Sequence, residues 1–336
     1  MPEEQLLNLV KDPNIFGYAI VRPFGLLLMW IYDIVMNYGL TVILFALLVK
    51  IILIPLAIKS KKSMMAMSAM NAEMQALQKK YANNREKLND EMQKLYSKHG
   101  VSPMSGCLPT FIQLPIMMGL YYAVQQPLQY MMGLSKDSVL ALANFIGLDN
   151  LAGAGYTVQI TIAEKLNAFL DPATGVFSPE VTSLITDTGA QLIPLDFNFF
   201  GLNLAMTPSL KDPSIMWLIP ILSGLTAFLS SWVMQRMQGT QQQGAAANQM
   251  KIMNIMMPLM SAYFGFILPG AIGIYWIFNN VFTCLQEIVL GRYFRAKKEK
   301  QESEAAQMMA DEKAAKRAAQ QAAQKELNEK KKKGDK

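Results

Sequence analysis

The sequence predicts an all-α integral membrane protein. Three observations carry that prediction. The chain has 336 residues, of which 52% are apolar and only 17% charged, against about 25% charged in an average soluble protein. The apolar residues are gathered into five runs near the 20-residue length that crosses a bilayer as a helix. The basic residues are confined almost entirely to alternate segments between those runs.

In chain order, residues 1–37 form an N-terminal segment whose apolar stretch, "AIVRPFGLLLMWIYDIVM" (19–36), contains Arg22, Asp33 and a Pro-Phe-Gly break. It reads as an amphipathic helix at the membrane interface, with a further span as the alternative. The five spans are expected at 38–58, 108–131, 214–234, 252–268 and 271–290. Pro269-Gly270 makes a tight helical hairpin of the last two. Between them lie segments 59–107, 132–213 and 235–251, with a tail at 291–336. The first 18 residues are polar, and no signal-peptide pattern is visible.

Orientation follows from charge. Segment 59–107 holds nine Lys and Arg, 235–251 holds two and the tail fourteen, together 25 of the 31 in the chain. Segment 132–213 holds three, with eight acidic residues. The positive-inside rule places the basic segments in the cytoplasm. With five spans, the N-terminus and segment 132–213 are then outside.

Segment 59–107 has internal structure. Met67, Met70, Met74, Leu77 and Tyr81 recur at helical spacing over 61–82, and "ANN" supplies a turn. Leu88, Met92 and Leu95 resume the pattern over 85–99, so a helical hairpin is expected. Met64, Met65, Met67 and Met70 crowd its start. They fit either an internal seam or an exposed stripe that meets varied apolar partners. Segment 132–213 contains amphipathic pieces at 139–148 and 158–170 that fit a cap over the outer face.

One charge stands out. Lys50 lies in the middle of "FALLVKIILIPL", where a charge costs roughly 2.5–3.5 kcal/mol on insertion scales. The next basic residue, Lys59, is about 13 Å further along a helix, too far for snorkelling alone to relieve the cost. Polar residues stand on other spans: Gln113 on the second, Ser223, Thr226 and Ser230 on the third, and Asn280 and Thr283 on the fifth. Trp276, Asn280, Thr283 and Glu287 share one helical face. A lysine solvated in a polar cavity accounts for the pattern. The polar side chains, Gln113 among them, equally suit contacts between helices. Cys107, Cys284 and His99 form no metal-ligand spacing, no nucleotide-binding P-loop is present, and neither a cofactor nor enzymatic chemistry is expected.

Three stretches together resemble a known family. They are "NYGLTVILFALLVKIILIPLAIKSKKSMMAM" (37–67), "SPMSGCLPTFIQLPIMMGLYYAV" (102–124) and "MNIMMPLMSAYFGFILPGAIGIYWIFNNVFTCLQEIVL" (253–290). The pattern is similar to the YidC/Oxa1/Alb3 membrane protein insertases, and in its short N-terminal part to their Gram-positive branch. The resemblance implies five helices around a hydrophilic groove open to cytoplasm and lipid. It also implies a bacterial plasma-membrane location, and nascent membrane proteins as substrates. The ribosome, a Sec-type translocon and the signal recognition particle machinery are its implied partners. Lys50 occupies the place of the family's groove arginine, and Trp276 a position that contacts nascent chains. Segment 132–196 has no counterpart in that pattern. The competing reading is a small anion or proton transporter or channel built on Lys50. Five unequal spans show no sign of the inverted repeat common in transporters.

Overall fold

The computed structural model describes residues 14–100, 108–147, 157–238 and 245–334. It is predominantly helical. A π-helical turn at Gly17–Val21 leads into α1 (Arg22–Val35), which ends at Met36 in the left-handed conformation. Helix α2 runs from Tyr38 to Ala69, with the Asn37 side chain accepting a bond from Leu40 N at its start. Helices α3 (Asn71–Lys80) and α4 (Arg85–Lys98) form a hairpin, and Asn84 caps α4 by accepting from Lys87 N. Then come α5 (Leu108–Gln125), α6 (Lys136–Phe145), α7 (Val158–Leu166), α8 (Leu218–Gln238), α9 (Ala245–Ile267) and α10 (Gly270–Gly334).

By length and composition, three described helical segments suffice to cross a membrane: Gly17–Val35, Tyr38–Ala69 and Ile215–Met237. The apolar part of α9, Ile255–Ile267, is shorter. The first of the three is the stretch expected at the interface, and its length also admits a crossing. The second expected span, 108–131, is shorter as a helix. Helix α5 stops at Gln125, because Pro127 disfavours helical geometry in the residue before it; Gln126 sits at φ −123°, ψ 58°. The expected helix over 61–82 is divided as well. Residues 61–69 continue α2, Met70 forms a turn at φ −87°, ψ 0°, and α3 begins at Asn71. That turn buries Met70 to 2% exposure. Met70 is therefore an interior residue, which corrects its place in an exposed methionine stripe. Met64, Met65 and Met67 are half-buried. Cys107 and the loop that precedes α5 lie outside the described residues.

Segment 132–213 contains more than the two expected amphipathic pieces, which correspond to α6 and α7. A small antiparallel hairpin, β1 (Asn198–Phe199) and β2 (Leu202–Asn203), is the one sheet among the described residues. Its turn, Phe200-Gly201, has positive φ at both positions, 51° and 80°, as a tight two-residue hairpin requires.

The hydrophobic core joins α1, the first part of α2, the end of α5, parts of 127–147 and 158–206, and the start of α10. Leu28, Tyr38, Phe45, Leu120, Leu128, Leu142, Ile162, Leu166 and Tyr275 are among its large, fully enclosed members. Close backbone approach shapes it: a Cβ on Gly25 would lie 2.1 Å from the Tyr130 carbonyl oxygen. Residues up to 287 form one unit, and residues from 288 onward a second, helical through Gly334.

Candidate functional site

Packing changes along the spans. On α2, Val49 is buried, but no residue from Lys50 to Lys59 is; Ser60 and Lys61 are buried again. On α10, Ile277 is buried, none from Phe278 to Gln286 is, and Glu287 is buried. On α5, residues 111–118 are half-buried or exposed, and burial begins at Gly119. Three helices thus loosen together, next to the enclosed core.

Of the predicted polar residues, Lys50, Gln113, Ser223, Thr226, Asn280 and Thr283 lie in or beside this layer and are paired with side chains of neighbouring helices. Lys50 Nζ donates to Thr283 Oγ1 at 2.9 Å, and the Thr283 hydroxyl donates to the Asn279 carbonyl at 2.7 Å. Gln113 Nε2 donates to the Tyr275 hydroxyl oxygen at 2.8 Å, joining α5 to α10. Asn280 Nδ2 lies 3.4 Å from Thr226 Oγ1, joining α10 to α8. Ser223 and Ser261 share a hydroxyl contact at 2.7 Å, joining α8 to α9. Helix α10 therefore bonds to three neighbours, to α5 through Tyr275, to α8 through Asn280 and to α2 through Thr283. Trp276 is placed differently from the other candidates. Its ring packs on Phe264 of α9, with centroids 5.8 Å apart, beside Ser223 and Ser261.

Sequence reasoning missed two residues. Tyr275 adjoins the noted Trp276 but is fully enclosed and holds Gln113. Lys61 forms an ion pair with Glu287, with side-chain exposures of 3% and 11%. The available signal was Glu287 itself, the one acid within the expected spans, since a carboxylate at that depth requires a cation.

The ion pair decides the sign of the site. Lys50 and Lys61 are eleven residues apart on α2, about 16 Å. Their partners Thr283 and Glu287 are four residues apart on α10, about 6 Å. Both ammonium groups thus converge on one turn of α10, with Pro55 inside α2 between their backbones. Glu287 is engaged by Lys61. Among the described residues no carboxylate pairs with Lys50, whose one hydrogen-bond partner there is a neutral hydroxyl. The arrangement carries one uncompensated positive charge and no nucleophile–base pair. It can hold and orient a negatively charged group.

A polytopic helical protein with a lone cation among loosely packed apolar helices belongs to the class that handles other polypeptides or ions within the membrane. The comparisons with known proteins make the assignment. Residues 30–299 match the 60Kd inner membrane protein family. The chain is 28% identical over 306 residues to membrane protein insertase YidC 2 of Listeria innocua serovar 6a, covering 89% of this chain and 80% of that one. It is 30% identical over 275 residues to membrane protein insertase YidC of Clostridium perfringens, covering 81% and 87%. Similarity extends to ALBINO3-like protein 1, chloroplastic, of Arabidopsis thaliana, 28% identical over 263 residues, or 78% of this chain and 44% of that one. The chain belongs to the YidC/Oxa1/Alb3 family of membrane protein insertases. It is a multi-pass protein of the cell membrane that inserts membrane proteins and is not an enzyme.

Proposed function

We propose that the loosely packed layer is a hydrophilic groove, and that insertion proceeds by charge attraction within it. The observation that carries this reading is the Lys50–Thr283 contact: an intramembrane cation bonded to a neutral group while the neighbouring carboxylate is engaged by Lys61. An acidic residue in the polar segment of an incoming protein gains roughly 4 kcal/mol beside such a charge at 4 Å and an effective dielectric near 20. That gain offsets part of its desolvation. Thr283 gives up a hydrogen bond that the substrate carboxylate replaces. Gln113, Asn280 and Thr283 line the path, and Trp276 meets the apolar part of the nascent chain. That apolar part leaves sideways into lipid along α8 and α10. The exposed Leu222, Leu225, Phe228 and Leu229 of α8 already present a lipid-compatible surface.

The chain crosses the membrane five times, with α1 lying at the outer interface, segment 127–206 outside, and the α3–α4 hairpin and tail in the cytoplasm. The stripe Leu26, Trp30 and Ile34, exposed at helical spacing on α1, supports an interfacial helix. The hairpin encloses an open groove of about 380 Å³ lined by Glu73, Leu77, Lys80, Glu91, Lys94 and Lys98. Its charged rim fits contact with the ribosome or the targeting machinery. A Sec-type translocon is a further partner for larger substrates.

The test is insertion into vesicles holding only this protein, using a single-span substrate with aspartates in its translocated segment and its asparagine counterpart. The aspartate form inserts better with the native chain, and the difference disappears with Lys50→Gln. An undiminished preference with Lys50→Gln removes Lys50 from the mechanism.

A further inference from the structure

Among the described residues, two that are not glycine have a left-handed backbone: Met36 at φ 52° and Phe200 at φ 51°. That conformation favours glycine or asparagine, and a large apolar residue there is uncommon. Both are also strongly exposed, at 66% and 88%. Phe200 touches the ring of its neighbour Phe199, with centroids 4.7 Å apart, and neither Met36 nor Phe200 belongs to the core. Residues that fill the core explain neither choice, so the explanation lies outside the fold.

The surroundings define what covers them. The β1–β2 hairpin is bracketed by the first turns of two helices. At α2, Tyr38 N donates to Asp196 O at 3.0 Å, and Asn37 Nδ2 donates to Asn198 O at 2.9 Å. The Phe199 ring lies where a Cβ on Gly39 would stand, 2.4 Å from it. At α10, Gly270 N donates to Met206 O at 2.8 Å, and Ala271 N to Leu204 O at 3.1 Å. The hairpin is therefore fixed at the level where two membrane helices begin. Within the first turn of α2, Leu40 is already exposed. Exposed Asp196 and Asn198 set a polar collar behind the apolar tip. An apolar tip, a polar collar and the boundary of the spans together match the headgroup–acyl zone of a bilayer.

We propose that Met36 and Phe200 are lipid-boundary anchors, inserted in the leaflet where α2 and α10 begin and holding segment 127–206 against the membrane. The proposal rests on the chain being a multi-pass membrane protein, and not on which side the segment lies or on the role of Lys50. The test uses the full chain with Cys107 and Cys284 replaced by Ser, reconstituted in phosphatidylcholine/phosphatidylglycerol vesicles. Spin labels are placed by Phe200→Cys, by Met36→Cys and, as the aqueous reference, by Thr174→Cys in an exposed turn. Collisions with oxygen outweigh those with a water-soluble nickel chelate at 200 and 36, and the order reverses at 174. Nickel accessibility at 200 and 36 equal to that at 174 overturns the proposal, as does low accessibility to both reagents, which marks a protein contact. Phe200→Gly keeps the turn geometry without strain. It leaves the melting temperature in detergent unchanged and speeds proteolysis of segment 127–206 several-fold in vesicles; an unchanged rate in vesicles overturns the anchoring role.

Discussion

Lys61 and Glu287, 226 residues apart in sequence, form an almost fully enclosed ion pair between the end of α2 and the face of α10 that also holds Thr283. Breaking a buried pair from one side leaves an uncompensated charge and costs about 3–5 kcal/mol, whereas replacing both partners by apolar groups is often neutral. Lys61→Met and Glu287→Leu are each expected to lower the melting temperature in detergent markedly, and the double variant to recover most of the loss. Additive losses in the double-mutant cycle would remove the coupling between the two residues.

The same geometry predicts opposite outcomes for keeping and for reversing the charge of Lys50. Lys50→Arg retains a cation beside Thr283, and insertion of substrates with acidic translocated segments persists. Lys50→Glu places a carboxylate near Glu287 and is expected to abolish that insertion. Thr283→Val removes the hydroxyl that bonds Lys50 at 2.9 Å. A hydrogen bond to a charged group contributes about 1.5–3 kcal/mol. Thr283→Val should therefore lower stability, and it should lower insertion less than Lys50→Glu does, because the charge remains. Insertion rates in vesicles at matched protein levels check the order, and equal insertion by Lys50→Glu and the native chain contradicts it.

The methionines at the end of α2 and in the following turn separate into two groups. Met70 is 2% exposed, so Met70→Ser is expected to cost roughly 2–4 kcal/mol of stability, in the range of large-to-small core changes. Met64 and Met65 are half-buried. Met64→Ser with Met65→Ser should lower insertion while leaving protein level and melting temperature close to native. Met67→Ser is measured apart, since Met67 also stands in the helically spaced apolar series that continues through Met70, Met74 and Leu77. A stability loss for the Met64/Met65 pair equal to that of Met70→Ser assigns them to packing alone.

The legibility of these features in the sequence follows their physics. Lys50 was visible because one charge in an apolar run demands compensation, and Asn280, Thr283 and Glu287 were visible as one face because helical spacing is local. Their partners were not. Which residue of α2 meets Glu287 depends on the relative register of two helices, and nothing in local spacing encodes it. The side of α10 that receives Gln113 was hidden for the same reason: Tyr275 reads as one more aromatic in an apolar span. Met70 has the same spacing as an exposed stripe and as a seam, and only the turn that follows α2 shows which. The β1–β2 hairpin has two-residue strands, too short for an alternating pattern, and its Phe-Gly turn lacks the usual asparagine or aspartate signal. The end of α5 was readable in retrospect, since Pro127 restricts the residue before it.

The tail supplies the last prediction. Residues 288–334 are helical and their described side chains mostly exposed. Residues 297–336 carry twelve basic and eight acidic residues, with a terminal block at Lys330–Lys333. Ribosomal RNA presents matching phosphate. About four to six phosphate contacts, each contributing a slope of roughly −0.7 to −0.9 in log affinity against log salt, would weaken binding by about 50- to 2,000-fold between 50 and 200 mM salt. Deleting 297–336 is expected to leave the protein inserted and oriented as before, because the apolar spans and the nine basic residues of 59–107 remain. It should weaken binding to empty ribosomes in detergent at low salt, and the difference from the full chain should shrink as salt rises. Binding of the full and shortened chains to ribosomes across a salt series measures this directly. Equal affinity at low salt makes the tail a solvated helix whose charge serves orientation alone.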